Sequence, residues 1–242
     1  MIDRELLKVT KKAIKEAGIR PSKRKGQNYA VDPVLIRCLV DSAELSGREE
    51  VLEIGSGTGT LTSLLSTRAK KVIAVETDRA SADYLRKKFA GSNVEVIKGD
   101  ILELELPDFD RVVSNLPYSI STPITFKLLF NDKFNFGALS YQKEVADRLV
   151  ALPATPQYSR ISVAVSLLAD VRRVADFPPD SFYPPPTVSS TVVVIKRRQT
   201  SKRIDWTNFD SALKFLFSQR KRTLRKALET YSKVSGEKMS VV

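Results

Sequence analysis

The chain has no histidine in its 242 residues, which removes the commonest general base and the commonest metal ligand. Hydrolytic triads and zinc sites are not expected, and no metal is assigned. A single cysteine, Cys38, cannot form an internal disulfide, and its place in an apolar helical stretch reads as buried and structural. No apolar run approaches the length needed to cross a bilayer. The first residues, Met1-Ile2-Asp3-Arg4-Glu5, are polar and mixed in charge, unlike a secretory signal. A cytoplasmic protein without membrane association is expected, with monomer as the default. No internal repeat or long linker is visible. With 42% hydrophobic residues, the chain can build one full α/β domain and a small appendage.

Acidic charge is scarce at both ends. Residues 1–29 carry nine basic and three acidic side chains and residues 196–242 carry thirteen and four, so the formal net charge of +12 lies outside a middle segment of about −3. A slightly acidic core between two basic ends is the electrostatic footprint of a protein with a polyanionic substrate, although a solvated charged surface explains many basic runs.

Four apolar segments read as successive strands, each ending in a polar or glycine-rich group. Val51-Leu52-Glu53-Ile54 breaks into Gly55-Ser56-Gly57-Thr58-Gly59, with a helix from about Leu61. Lys71 to Val75 ends in Glu76, Val94 to Lys98 in Gly99-Asp100, and Arg111 to Ser114 in Asn115-Leu116-Pro117-Tyr118. Loops at the carboxyl edge of a parallel sheet are where open α/β folds bind small molecules. The glycines let backbone approach a nucleotide. The Glu76 carboxylate is placed to accept from both ribose hydroxyls, and that of Asp100 from an adenine amino group. A nicotinamide-dependent oxidoreductase competes on the acidic residue after the second strand, but Gly-x-Gly-x-Gly is not the dinucleotide spacing. The pattern fits S-adenosylmethionine. Asn-Leu-Pro-Tyr alone is most simply a turn. After such strands it reads as an adenine clamp, in which the asparagine carboxamide and a carbonyl next to proline accept from an exocyclic amino group and tyrosine stacks on the base. Methyl transfer from a sulfonium needs alignment more than a base, so the absence of histidine is no obstacle.

Elsewhere, apolar spacing predicts a helix over residues 3–17 and another through about Ser42, opened by Asp32-Pro33. The loop between them is basic (Lys23, Arg24, Lys25) and places Gln27 and Asn28 as a lid over a cofactor. A helix is expected from Pro123 to Phe130, a fifth strand from Phe136 to Tyr141 and a helix over residues 142–148. Ile161 to Ala169 and Thr191 to Ile195 read as a last, antiparallel edge pair. Three consecutive prolines, Pro184 to Pro186, would present Phe182 rigidly to a ligand. Helical pattern returns from Asp205, and the basic run over residues 218–226 starts another helix suited to a phosphate backbone.

Gly26-Gln27-Asn28, Glu53-Ile54-Gly55-Ser56-Gly57-Thr58-Gly59, Glu76, Gly99-Asp100, Asn115-Leu116-Pro117-Tyr118, Gln142-Lys143-Glu144-Val145-Ala146, Phe182-x-Pro184-x-Pro186-x-Val188-x-Ser190 and Phe217-x-Gln219-Arg220-Lys221-Arg222-Thr223-Leu224 run through nearly the whole chain. In these segments the chain resembles the KsgA-type ribosomal RNA adenine dimethyltransferases of archaea and bacteria. The resemblance implies a Rossmann-like, mostly parallel seven-stranded α/β methyltransferase sheet over residues 1–200 and a small basic helical domain over 201–242. It implies four methyl transfers from S-adenosylmethionine to two adjacent adenosines of small-subunit ribosomal RNA. Gln27, Asn28, the Ala30 backbone, Gly55, Gly57, Glu76, Asp100 and Asn115 would hold the cofactor. Asn115 and the Pro117 carbonyl would clamp the target amino group, with the base between Tyr118 and Phe182. Lys23, Arg24, Lys25, Arg220, Lys221, Arg222 and Arg225 would meet RNA. Lys226 stands where the family commonly has asparagine, and the small domain is expected to be reduced. A large-subunit methyltransferase of the antibiotic-resistance type and an assembly factor with secondary catalysis are the competing readings.

Overall fold

The computed structural model describes residues 3–21, 26–198 and 205–236. Its first helix, α1 (Arg4–Glu16), starts where the Asp3 carboxylate accepts from the Glu5 and Leu6 N–H groups. After strand β1 (Tyr29–Ala30), α2 (Pro33–Ser42) opens on the Asp32 cap with proline in its first turn. That cap is itself tied down, because the second Asp32 oxygen accepts from Ser181 Oγ at 2.9 Å. Strand and helix then alternate through β2 (Glu50–Ile54), α3 (Thr60–Leu65), β3 (Lys71–Glu76), α4 (Arg79–Lys88), β4 (Val94–Lys98) and β5 (Arg111–Asn115). A 3₁₀ turn, Tyr118–Ile120, leads into α5 (Ser121–Leu129), followed by β6 (Phe136–Gln142) and α6 (Lys143–Leu149). The rest comprises α7 (Arg160–Leu168), β7 (Ala169–Phe177), β8 (Phe182–Tyr183), β9 (Ser190–Arg197), α8 (Trp206–Ser218) and α9 (Leu224–Ser235).

The main sheet has seven strands in the order β4-β3-β2-β5-β6-β9-β7, and β9 runs against the others. β2, β3, β5 and β6 are buried almost end to end, as parallel strands covered on both faces must be. Successive residues feed opposite faces: Val51, Val72 and Val113 join the cluster under α2, while Leu52, Ile54, Ile73 and Val112 join the one packed by α5 and α7. Strand order reverses between β2 and β5, so the crevice above their carboxyl ends is the expected binding place. A separate two-stranded ribbon pairs Ala30 of β1 with Phe182 of β8. Among the described residues, no helix is long and apolar enough to cross a membrane.

The expected strand from Ile161 to Ala169 is instead α7. Its nine residues have strand-like length, yet Ser159 and Ser162 form a reciprocal capping box. Ile161, Ala164, Val165 and Leu168 then fall on one buried helical face. The edge strand is the more polar segment that follows, β7, antiparallel to β9 as the pair was expected to be. The helix expected from Pro123 begins two residues earlier, at Ser121.

The C-terminal pair α8 and α9 docks on the sheet domain through aromatic rings. Trp206 stacks on Phe130 at 5.0 Å and 11°, with Phe209 edge-on to both. Arg160 lies 4.6 Å over the Phe126 ring and pairs with Asp210 at 3.6 Å. Trp206 is the sole tryptophan, so its emission reports this junction. Phe130→Leu removes the ring pairs with Trp206, Phe209 and Phe126, each worth about 1 kcal/mol beyond its buried area. The expected outcome is a red-shifted Trp206 emission at a lower denaturant concentration than in the parent protein; coincident fluorescence transitions would contradict the docking role.

Candidate nucleoside and base-binding site

Above the carboxyl ends of β2, β3, β4 and β5 lies a cavity of about 390 Å³, lined also by residues 26–30. Each wall arises where a strand ends and the chain must turn. After β2 the glycine-rich loop curls back so that the Gly57 N–H donates to Glu76 Oε2 at 2.8 Å. The other oxygen of Glu76 accepts the Asp78 N–H at 2.9 Å. Burial pushes the Glu76 carboxyl upward, and these backbone donors oppose the shift. The carboxylate is thus fixed in orientation at the floor of the cavity, with lone pairs remaining for hydroxyl donors. Asp100 is fixed similarly, one oxygen accepting from the Leu102 N–H at 2.9 Å. Among the described residues, no group of three or more metal-ligating side chains converges.

The wall formed after β5 carries Asn115 and Pro117, the two residues expected to form the clamp. Asn115 Nδ2 donates to the Asn28 backbone carbonyl at 2.9 Å. That bond dictates which way the carboxamide faces and leaves Asn115 Oδ1 buried without a hydrogen-bond partner among the described residues. Two residues on, the Pro117 carbonyl accepts the Ile120 N–H at 3.1 Å and keeps a second lone pair. Two close approaches set these pieces together. Gly55, at φ +75°, would place a Cβ 2.7 Å from Pro117 Cγ, and Gly26, at φ +63°, would place one 2.9 Å from the Tyr118 backbone nitrogen. Glycine is required there both for conformation and for space.

Gln27, Asn28, Ala30, Gly55, Gly57, Glu76, Asp100, Asn115 and Pro117 therefore all line one cavity. Tyr118 stands just outside it, its hydroxyl 2.5 Å from Ser190 Oγ. Phe182, expected opposite Tyr118, is a buried residue in this structure. Phe182 is 2% exposed, because pairing with Ala30 turns its ring into the apolar cluster beneath α2. Lys23, Arg24 and Lys25 lie outside the described residues. Arg220, Lys221 and Arg222 occupy the exposed turn between α8 and α9 rather than a helix, and Arg225 is exposed on α9. Arg220 is partly committed to the fold, donating to the Tyr158 carbonyl at 2.8 Å.

Glu53 and Lys88 were missed as site residues. Glu53 sits 2% exposed at the cavity wall and accepts from Thr62 Oγ1 at 2.5 Å. Burial pushes its carboxyl up to about 7, the Thr62 hydroxyl working against the shift. Lys88, lowered by burial, donates to the Thr58 and Gly59 carbonyls at 3.1 and 3.3 Å and so backs the glycine-rich loop. A carboxylate inside an otherwise apolar strand was the available signal for Glu53.

The mostly parallel sheet with loops gathered at this crevice is the Rossmann-like fold of the methyltransferases. A solved dimethyladenosine transferase from Plasmodium falciparum matches with a TM-score of 0.75 and 30% identity, over 88% of this chain and 83% of that one. The 23S rRNA methyltransferase ErmE matches with a TM-score of 0.65 and 27% identity, over 89% and 93%. The profile of the ribosomal RNA adenine dimethylase family matches residues 20–241, and the chain belongs to that family. A relative from Methanosphaera stadtmanae is 40% identical over 90% of this chain and 81% of its own length, and one from Methanosarcina mazei 45% over 84% and 75%. Both are described as probable ribosomal RNA small subunit methyltransferase A.

Glu53 gives a pH test of the site's interior. The unfolded chain releases this proton near 4.5, whereas the folded protein holds it to about 7. The fold binds more protons over that interval, so the contribution of Glu53 to stability falls as pH rises from about 4.5 to about 7 and stays low above it. Glu53→Gln, which keeps an acceptor for Thr62, is expected to shrink the difference in urea stability between pH 5 and pH 8. Equal pH slopes in both proteins would show Glu53 to be ionised in the fold.

Proposed function

We propose that this protein is an S-adenosylmethionine-dependent dimethyltransferase acting on adenosines of small-subunit ribosomal RNA, with the immature small subunit as its substrate particle. Family membership and the orphaned Asn115 Oδ1 at the cofactor cavity carry the reading. The residues present fit the cofactor. Glu76 offers a braced carboxylate for two ribose hydroxyls, Asp100 an acceptor for the adenine, and the Gly55–Gly59 loop a close backbone surface for the methionine part. S-adenosylmethionine supplies a methyl group already activated on a sulfonium. What the chain adds is position.

Asn115 Oδ1 and the free lone pair of Pro117 O can accept the two hydrogens of an exocyclic amino group. Engaging both N–H bonds there draws the nitrogen lone pair out of conjugation with the purine and turns it toward the cofactor. The flipped base stacks on Tyr118. Each methyl added removes one donor, so the second transfer relies more on stacking, worth roughly 1–3 kcal/mol per base. Lys221, Arg222 and Arg225, exposed on the C-terminal pair, would meet phosphates with a steep salt dependence. We assign residues 1–200 to the methyltransferase domain and 201–242 to this small RNA-facing one, acting as a cytoplasmic monomer.

The test is nucleoside mass spectrometry after incubation with S-adenosylmethionine and unmethylated small subunits, with large subunits in parallel. Dimethyladenosine from small subunits alone is expected; product from large subunits would favour the ErmE-like specificity. Asn115→Ala is expected to lower kcat about 100-fold, the scale of a misplaced reacting group. Retained particle binding by that variant would separate catalysis from assembly. Tyr118→Ala is expected to depress dimethyladenosine more than monomethyladenosine, and an unchanged ratio would exclude stacking on Tyr118.

A further inference from the structure

The Tyr118 ring stands next to Asn115 and Pro117, and how that ring is held bears directly on the proposed stacking. Its backbone end is fixed by the 3₁₀ turn, where the Pro117 carbonyl takes the Ile120 N–H, and by the bare Gly26 surface against its own nitrogen. At its far end the hydroxyl is hydrogen-bonded to Ser190 Oγ at 2.5 Å. Ser190 is fully buried. It opens β9 and is paired on both sides, with Gln142 of β6 and Phe177 of β7. The preceding carbonyl, of Ser189, accepts the Lys143 N–H at 2.9 Å. With its backbone held on both sides and its side chain buried, Ser190 has little freedom to follow a moving partner.

We infer that Ser190 is a positioning residue for the methyl transfer: it anchors the Tyr118 hydroxyl and so sets the plane on which the target base stacks. The inference rests on the proposed reaction. A tyrosine pinned at one end could swing about χ1 and χ2 and present its edge instead of its face. Pinned at both ends, it offers one face in one orientation. The first transfer is protected against a loose ring because the clamp still holds two donors of the amino group. The second has one donor left, so a loss of ring order appears there first.

The experiment compares Ser190→Ala, Ser190→Thr, Tyr118→Phe and the double variant Ser190→Ala/Tyr118→Phe in single-turnover methylation of small subunits, resolving mono- and dimethyladenosine. Ser190→Ala and Tyr118→Phe are each expected to lower the ratio of second to first transfer rate about fivefold, the scale of one lost hydrogen bond. The double variant should fall no further than either alone, since both remove the same bond. Ser190→Thr, which restores a hydroxyl, should recover the ratio, while affinity for S-adenosylmethionine stays constant throughout. Equal slowing of both transfers in Ser190→Ala, without recovery in Ser190→Thr, would reduce Ser190 to a structural role and overturn the inference. So would an active parent whose Ser190→Ala variant keeps the parental ratio. A parent that binds cofactor and yields no methyladenosine would overturn the functional reading itself.

Discussion

One hydrogen bond makes a single site from two parts of the chain that lie 87 residues apart: Asn115 Nδ2 to the Asn28 carbonyl, at 2.9 Å. It ties one of the amide's two donors to the segment before β1 and so turns the amide oxygen the other way. Residues 26–30 and the Asn115–Tyr118 segment then cannot be placed independently. Gly26, beside Asn28, lies against the Tyr118 backbone, and Gly55, at the end of β2, lies against the Pro117 ring. The glycine-rich loop and the Asn115–Tyr118 segment, proposed to hold cofactor and base, are therefore packed directly against each other. A shift on one side is passed to the other, because close-packed protein has no slack to absorb it.

Beneath that layer the charges are stiff and mostly spent. Glu76 accepts from two backbone N–H groups, and Lys88 donates to two carbonyls of the glycine-rich loop. Fixed groups of this kind need no reorganisation when a ligand arrives, which is the property that makes a site selective rather than merely sticky. Glu53 differs from them. Deep in the strand and bonded to Thr62, its carboxyl is pushed up to about 7 by burial, so it adds polarity without full charge near neutral pH.

Much of this arrangement was legible in the sequence because it is local. A strand that ends in Gly-x-Gly-x-Gly, or in Asn-Leu-Pro-Tyr, states its own turn, and the sheet edge gathers the ends without further information. The cap at Asp32 and Pro33 was readable for the same reason. What failed was non-local. Residues 161–169 satisfy strand and helix patterns alike, and the choice was made by Ser159 with Ser162 together with the cluster that α7 packs against. The ribbon that pairs Phe182 with Ala30 spans 152 positions, and no local motif announces it. The Tyr118–Ser190 contact likewise joins two motifs that the sequence shows separately.

The absence of histidine finds its physical sense in the clamp. On the proposed reaction, an amino nitrogen that accepts a methyl group becomes cationic for a moment and sheds its proton readily to water, so a strong base would gain little. A carboxylate in place of Asn115 would bind the cationic intermediate tightly and bring its own pH dependence. An amide oxygen and a peptide carbonyl accept hydrogen bonds while remaining neutral at every pH the fold tolerates. They orient the nitrogen before transfer and hold it loosely afterwards. Differential binding of this sort suits an enzyme that must act on the same nitrogen twice.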